Sequence, residues 1–172
     1  CSSDLFCKLK PDLLISCSAS PYHFGKLPGR EALHARVAQR VGAPMIYVNQ
    51  VGATDEVLFD GASFYLDAQG ILQQRLPIFS PAFAVLDLSQ DAATSALAQP
   101  DPMEGLAQGL VCGIQEYFKR TGFKRAVLGL SGGVDSALVA VLCQRALGAE
   151  NVLGVAMPSQ NSSSHSIEDA EA

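Results

Sequence analysis

A stretch of the chain between positions 129 and 136 combines the residue types that bind phosphate groups. It consists of Gly129, Leu130, Ser131, Gly132, Gly133, Val134, Asp135 and Ser136. Glycine has no Cβ atom, so an anion at 132 and 133 can approach the backbone and accept hydrogen bonds from successive N–H groups. The hydroxyl groups of the two serines are further donors. The stretch therefore predicts a phosphate-binding turn.

Asp135 predicts a metal ion at the same place. A carboxylate beside phosphate groups repels them unless a hard cation such as Mg²⁺ lies between the two and is bound by both. Oxygen ligands are the ones that Mg²⁺ prefers. We therefore expect Asp135 to be a Mg²⁺ ligand.

The elements on either side of the turn should place its N–H groups. Apolar residues 126–128 predict a buried strand before the turn, and an apolar helical run at 137–147 follows it. The helix would add the positive end of its dipole to the site. Residues 152–157 predict a second buried strand, parallel to the first through a right-handed crossover.

Two other phosphate-binding motifs are excluded. No Lys-Ser or Lys-Thr pair follows the last glycine, as a Walker A loop requires, and the G-x-G-x-x-G spacing of a dinucleotide-binding turn is absent. A structural alternative stays open, in which the glycines only allow tight packing between a strand and a helix.

The first half of the chain predicts a mixed α/β region. Strands are expected at residues 13–18, 45–48, 63–66, 71–76 and 83–88, with the third and fourth joined as a hairpin by a turn at 67–70. A helix is expected from about Arg30 to Gly42, with Leu33, Val37 and Val41 on its apolar face.

Composition favours a globular protein with many buried segments. Of the 172 residues, 48% are hydrophobic and the net charge is −5, which argues against broad binding to nucleic acid or to membranes. No apolar run approaches the roughly 20 residues of a membrane span. The five cysteines have no Cys-x-x-Cys spacing. Reduced thiols in the cytoplasm, without zinc, are therefore expected.

A boundary is predicted between residues 89 and 101, where apolar periodicity and aromatic residues are lost, as in a linker. Asp101 as N-cap, Pro102 as first helical residue and Glu104 two positions later predict the start of a helix. Ser166, with Asp169 three residues on, predicts another helix start. Two strands after position 125 are fewer than a nucleotide-binding domain needs. We expect a piece of a longer protein, or a chain whose numbering closes over missing segments.

The string from Ser131 to Ser136, in strand-turn-helix context, resembles the ATP pyrophosphatases that have a PP-loop. The first half resembles the C-terminal part of a nitrilase-type amidohydrolase. The residues that carry this second resemblance lie at 12–15, 18–22, 25–26, 47–52, 55–56 and 59–63. In this order, the two halves resemble the glutamine-dependent NAD⁺ synthetases, and residues 157–170 are similar to that family as well.

The resemblance implies an α/β fold in three parts. Residues 1–88 would be the C-terminal part of a nitrilase-like α-β-β-α sandwich, the glutamine amidohydrolase. Residues 89–101 would be a linker. Residues 102–172 would begin the Rossmann-like parallel-sheet PP-loop domain that binds ATP.

The resemblance also implies a reaction. ATP, with Mg²⁺, would adenylate the nicotinate carboxylate of deamido-NAD and release pyrophosphate. Ammonia, taken from glutamine by the nitrilase-like domain, would then displace AMP to give NAD⁺. The enzyme would be a cytoplasmic ligase and a homo-oligomer, without nucleic-acid or membrane partners.

Site residues follow from the same resemblance. Residues 129–136 would hold the phosphates of ATP, and residues 155–157 would lie beside its adenine. Ser20 and Lys26 match positions that hold glutamine, and a hydroxyl with an ammonium on one loop suits an α-carboxylate. Without the resemblance, that loop would be interpreted as solvated.

Alternatives stay open for the residue that attacks glutamine and for the molecule that accepts the ammonia. Either Cys1 is the family's nucleophilic cysteine, with several residues missing after it, or the nucleophile is absent; Cys7 fits the spacing worse. Two other functions are possible alternatives. The chain could belong to another PP-loop amidotransferase, similar to GMP or asparagine synthetase, or it could be a catalytically silent fragment that binds partners through exposed faces. The matches at 49–52 and 59–63 count against the first of these two, because those enzymes carry other glutaminase types.

Overall fold

The computed structural model of the chain describes residues 2–88 and 100–157. The chain divides into two compact units, Cys1–Gly109 and Leu110–Ala172. Both contain helices and strands, so that the α/β class expected from the sequence is confirmed at this level. The predicted linker and the helix start at Ser166 lie outside the described residues, apart from positions 100 and 101.

The first unit is built around a four-stranded sheet. Its strands are β1 (Leu14–Ser18), β2 (Met45–Asn49), β5 (Phe64–Leu66) and β6 (Leu72–Arg75), in the order β1-β2-β5-β6. β1 and β2 are parallel, and the other pairs are antiparallel. A separate antiparallel hairpin consists of β3 (Val51–Thr54) and β4 (Val57–Asp60). The two helices before β2 are α1 (Ser2–Leu9) and α2 (Lys26–Val41).

The core of this unit lies on one face of the sheet. Alternate residues of a strand point to opposite faces, and in β2 it is Met45, Tyr47 and Asn49 that are buried. The rings of Tyr47 and Phe64 stack at 4.8 Å between centroids. The buried apolar cluster consists of Leu14, Ala38, Ala43, Met45, Tyr47, Phe64 and Leu66.

Helix α2 begins four residues earlier than predicted, and two of the three residues of its predicted apolar face, Val37 and Val41, pack against the core. It starts at Lys26, and Pro28 is tolerated in its first turn because N–H groups there have no partner within the helix. Leu33, expected on the buried face, is 58% exposed. The inner positions are taken by Arg30 and Glu31, which are buried as ion pairs. The predicted end at Gly42 is confirmed.

The predicted hairpin after residue 63 is confirmed as β5 and β6. Its turn is formed by the Asp67 carboxylate, which accepts hydrogen bonds from the N–H groups of Gln69 at 2.9 Å and Ile71 at 2.8 Å. Gly70 has a φ of +73°, a value that favours glycine.

The predicted strand at 83–88 is wrong. The chain has no regular structure from Pro81 to Asp87, and Phe83 and Val85 are 86% and 81% exposed. Pro77 and Pro81 lack the N–H group that a ladder needs, which explains why the apolar run after them does not extend the sheet. Helix α1 and the hairpin of β3 and β4 were not expected, because each is short and lacks clear periodicity.

Helix α3 (Pro102–Thr121) begins where the sequence predicted. The carboxylate of Asp101 accepts hydrogen bonds from the N–H groups of Met103 at 2.7 Å and Glu104 at 3.1 Å, which makes it the N-cap. Gly105 faces Ile78, and a Cβ at Gly109 would stand 2.9 Å from the Phe79 ring. The part of the helix that belongs to the first unit therefore packs on residues 78–79 of the same unit through glycines.

The second unit contains the predicted strand, turn, helix and strand. β7 (Ala126–Leu130) and β8 (Val152–Ala156) pair in parallel, which is confirmed, and α4 (Val134–Leu147) lies between them in sequence. Their expected burial is not found. Val127 is 70% and Leu153 60% exposed, and no residue of α4 is buried.

Candidate functional site

The turn between β7 and α4 contains two glycines, and its conformation requires glycine at only one of them. Gly132 has a φ of +75°, in the left-handed region where a side chain is strained. Gly133 is the N-cap of α4 at φ −96° and ψ 156°, an extended conformation open to any residue. A Cβ there would lie 3.4 Å from the Ser131 hydroxyl, an ordinary contact. The fold itself therefore does not require glycine at 133, whereas close approach by an anion would.

The two serines of the turn are bonded to each other and to its backbone. Their hydroxyl oxygens lie 3.1 Å apart. The Ser136 hydroxyl donates to the Gly133 carbonyl at 2.9 Å and accepts from the Ser131 N–H at 3.2 Å. The Ser131 hydroxyl accepts from the Gly133 N–H at 3.3 Å. The N–H groups of residues 131 and 133 thus already point towards oxygen atoms inside the turn.

Asp135 lies in the first turn of α4, and its side chain is exposed. Within the described part of the chain it has no hydrogen bond and no ion pair. The first N–H groups of a helix also lack intrahelical partners and carry the positive end of the dipole. An exposed carboxylate beside such donors fits a hard cation that is shared with phosphate oxygens.

The end of β8 lies beside the turn. Gly129 pairs with Val155 and Leu130 pairs with Ala156 in the parallel ladder. Met157, the next residue, is 73% exposed, and its methyl group would be 2.7 Å from a Cβ at Gly129. Residues 155–157 therefore reach the same edge of the sheet as the glycine turn, which is where α/β sheets bind ligands.

Ser20 and Lys26 stand at the two ends of the loop between β1 and α2. Ser20 is half-buried, and both its backbone N–H and its carbonyl are bonded to the Asn49 amide, at 2.8 and 3.3 Å. The Lys26 ammonium donates to the carbonyl of Pro21 at 2.6 Å, and Pro21 is the residue next to Ser20. The structure thus brings the Lys26 charge back to the Ser20 end of the loop.

A buried polar cluster lies behind this loop. Arg30 donates to both oxygens of Asp60 at 2.9 and 3.1 Å, and the Asn49 amide donates to Asp60 at 3.2 Å. Burial, and then the Asp60 charge, raise the pKa of the nearby Tyr22 hydroxyl. The sequence analysis gave Asn49 and Asp60 no role. Both lie in the ranges 47–52 and 59–63 that carry the resemblance to nitrilase-type amidohydrolases, but nothing in the sequence showed that they contact each other.

The described cysteines do not form a nucleophilic centre. Cys1 lies outside the described residues, so that its predicted role stays a prediction. The Cys7 thiol donates to the Arg40 carbonyl at 3.3 Å, and Cys17 is an exposed residue of β1. Burial, with a smaller effect of the Glu116 charge, raises the pKa of the Cys112 thiol.

Neither a preformed metal cluster nor a membrane-spanning helix is found over residues 2–88 and 100–157. No group of three His, Cys, Asp or Glu side chains there is arranged to hold a metal ion. No helix in those ranges combines the length and the apolar character needed to cross a membrane.

Comparisons with known proteins point to one group. Residues 106–172 match the NAD synthase family. The chain is 48% identical to a glutamine-dependent NAD(+) synthetase of Synechocystis over 164 residues, which cover 92% of this chain and 29% of that protein. It is 44% identical to the synthetase of the same name from Rhodobacter capsulatus, covering 92% of this chain and 30% of that protein.

A solved structure agrees with these sequences. The glutamine-dependent NAD⁺ synthetase of Acinetobacter baumannii, in complex with adenosine diphosphate, is 34% identical with a TM-score of 0.90. The match covers 98% of this chain and 33% of that one. The chain therefore spans about 30% of the length of the curated relatives that it matches.

Proposed function

We propose that this chain, which corresponds to a segment of glutamine-dependent NAD(+) synthetase, contributes to the ATP-dependent amidation of deamido-NAD to NAD⁺. The observation that carries the proposal is the turn from Gly129 to Ser136. It has inward N–H groups, two linked hydroxyls and an exposed carboxylate in the first turn of a helix. The Acinetobacter relative was solved in complex with ADP, which supports binding of an adenine nucleotide by a protein of this kind.

The nucleotide reaction assigns one task to each part of the turn. Residues 129–136 bind the phosphates of ATP, and Asp135 binds the Mg²⁺ that accompanies them. A nicotinate carboxylate oxygen attacks the α-phosphorus, and pyrophosphate leaves. The N–H groups at the start of α4 would stabilise its charge, and a Mg²⁺ ion held by Asp135 would supply further positive charge there. Ammonia then attacks the acyl carbon, and AMP leaves. Residues 155–157, at the same edge of the sheet, lie beside the adenine.

The loop from Ser20 to Lys26 supplies the second ligand site. We propose that the Ser20 hydroxyl and the Lys26 ammonium hold the α-carboxylate of glutamine, with Cys1 as the nucleophile that releases ammonia. The return of the Lys26 ammonium to Pro21 supports the pairing, because it brings a positive charge next to Ser20. We further propose that residues 1–88 belong to a nitrilase-like sandwich and residues 102–172 to a Rossmann-like PP-loop domain, joined by a linker at 89–101.

The setting of the enzyme completes the proposal. We propose a cytoplasmic homo-oligomer whose partners are small molecules: ATP, deamido-NAD, and glutamine or ammonia. A net charge of −5 supports the absence of a nucleic-acid partner.

The test is a substrate comparison with the full-length protein. Pyrophosphate release is measured with ATP, Mg²⁺ and ammonia, and deamido-NAD, xanthosine monophosphate or aspartate is offered in separate reactions. Of the three acceptors, only deamido-NAD is expected to give pyrophosphate release, and AMP and NAD⁺ should form in amounts equal to the pyrophosphate. Release with either of the other acceptors would instead identify another PP-loop amidotransferase. No release with any acceptor would favour a catalytically silent protein.

A further inference from the structure

We propose that Asn49 is a positioning residue for glutamine, because its side chain fixes the backbone of Ser20 at the start of the glutamine-holding loop. The inference rests on the proposed function of Ser20 and Lys26. It adds residues that lie behind the loop and do not touch the ligand.

The Asn49 amide binds Ser20 as a neighbouring strand would. Its Oδ1 accepts from the Ser20 N–H at 2.8 Å, and its Nδ2 donates to the Ser20 carbonyl at 3.3 Å. Both backbone groups of Ser20 are therefore used. In the described part of the chain the Ser20 hydroxyl makes no hydrogen bond, which leaves it available to a ligand.

Asp60 fixes the orientation of the Asn49 side-chain amide. An amide has one accepting and one donating end, and a carboxylate that is paired with arginine only accepts. Asp60 Oδ1 takes a hydrogen bond from Asn49 Nδ2 at 3.2 Å, so that Asn49 Oδ1 must turn towards the Ser20 N–H. A flipped amide would leave a carbonyl against a carboxylate and an N–H against an N–H.

Arg30 holds Asp60 in place. The guanidinium bonds both carboxylate oxygens, a geometry that is both directional and strong. Arg30 and Asp60 are 5% and 2% exposed, and Asn49 is 6% exposed, so water does not compete for these bonds. At the other side, the Asn49 N–H donates to the Ser63 hydroxyl at 3.0 Å.

The same cluster fixes both ends of the loop. Ser20, at one end, is tied to Asp60 through Asn49. Lys26, at the other, begins helix α2, and Arg30 lies one helical turn further on and is tied to Asp60 directly. Asp60 is thus the shared anchor that sets the spacing of the two groups proposed to hold glutamine. A side chain that fails to hold Ser20 should weaken glutamine binding without touching the nucleotide site.

The test removes the Asn49 amide in the full-length protein. In Asn49→Ala we expect the Ser20 amide to exchange with solvent about tenfold faster, which corresponds to the loss of one hydrogen bond. The Tyr22 amide, which donates to the Leu58 carbonyl at 2.7 Å, should keep its exchange rate. The KM for glutamine should rise about tenfold, while synthesis driven by added ammonia stays at the wild-type rate.

A matched control separates positioning from loss of stability. Glu31, a residue of α2, is buried like Asn49, and its carboxylate binds Arg75 of β6 at 2.6 and 3.1 Å. Glu31→Gln should weaken that ion pair and leave the KM for glutamine unchanged. If Asn49→Ala does not fold, Asn49→Ser, which is also too short to reach Ser20 but keeps a polar side chain in the buried cluster, is measured in the same way.

The outcomes are distinct. An active Asn49→Ala with unchanged Ser20 exchange and unchanged KM overturns the inference alone. An equal rise of the KM in Glu31→Gln does so too, because the effect would then be general loosening. A wild-type protein that does not hydrolyse glutamine overturns the proposed function and this inference with it.

Discussion

The two proposed ligand sites differ in what holds them in shape. The phosphate turn is held by contacts between residues at most five positions apart, and most of the groups involved are exposed. The glutamine loop is held by Asn49, Asp60 and Arg30, which are buried and come from β2, β4 and α2. The Ser20–Asn49 bond spans 29 positions and the Arg30–Asp60 pair spans 30.

This difference determines how each site should respond to substitution. The turn depends on its own sequence and on the helix that follows, so a change there should affect ligand binding and leave folding intact. The loop depends on charges buried in the unit that carries it. Loss of one of those charges should therefore lower stability and function together.

The largest effect is expected for Asp135→Asn in the full-length protein. The amide keeps the shape of the side chain and removes the charge that binds Mg²⁺. Pyrophosphate release with ATP, Mg²⁺, deamido-NAD and ammonia should fall by about 10³-fold, since metal and dipole stabilisation of phosphoryl charge contributes several kcal/mol. Glutamine hydrolysis, measured separately, should continue.

Glu150→Gln is the control for this change, because Glu150 is another exposed carboxylate of the second unit. It should leave pyrophosphate release at the wild-type rate. Release close to wild type from Asp135→Asn would mean that the carboxylate is not a metal ligand. The turn would then be better explained as a structural connection.

The contrast between the sites also explains what the sequence predicted. The turn, its strands and helix α4 were predicted because their pattern is contained in about thirty consecutive residues. The N-cap at Asp101 and the turn at Asp67 are local in the same sense. The buried face of α2 was predicted only in part: Val37 and Val41 pack against the core, but Leu33 is exposed. The inner positions near it belong to Arg30 and Glu31, whose partners lie far along the chain.

Exposure in the second unit could not be predicted for a related reason. Periodicity shows that Val127 and Leu153 suit a buried strand, but burial depends on which other elements cover the sheet. Both residues are more than half exposed. Likewise, the apolar run at 83–88 suits a strand by composition, but a strand needs a partner with free N–H and C=O groups.

A large loss of stability is expected for Arg30→Met. The substitution leaves the Asp60 carboxylate buried without its positive partner, which typically costs about 3–5 kcal/mol. Native-state hydrogen exchange at the amides of β2, which forms part of the same core, would measure this loss as a lower free energy of opening. The glutamine KM should rise in the same variant, because Asn49 loses its fixed acceptor.

Arg40→Met provides the comparison within the same helix. Arg40 pairs with Asp4, and both side chains are about half exposed. An exposed pair contributes about 0–1 kcal/mol, so exchange in β2 should hardly change. Equal losses in the two variants would show that burial of the Arg30–Asp60 pair is not what stabilises this unit.

The smallest effect is expected for Ser131→Ala. The hydroxyl accepts from the Gly133 N–H and contacts the Ser136 hydroxyl, but the backbone donors of the turn and the dipole of α4 remain without it. The loss of one donor to phosphate should cost about 1 kcal/mol, which is about fivefold in kcat/KM for ATP. Stability should not change, because every bond of this hydroxyl is exposed and local.

Thr121→Ala, which removes another exposed and locally bonded hydroxyl from the second unit, should leave kcat/KM for ATP unchanged. A loss as large as that of Asp135→Asn would mean that the hydroxyl, and not the backbone N–H groups, binds the phosphates. The turn would then depend on its side chains as much as the glutamine loop depends on Asn49.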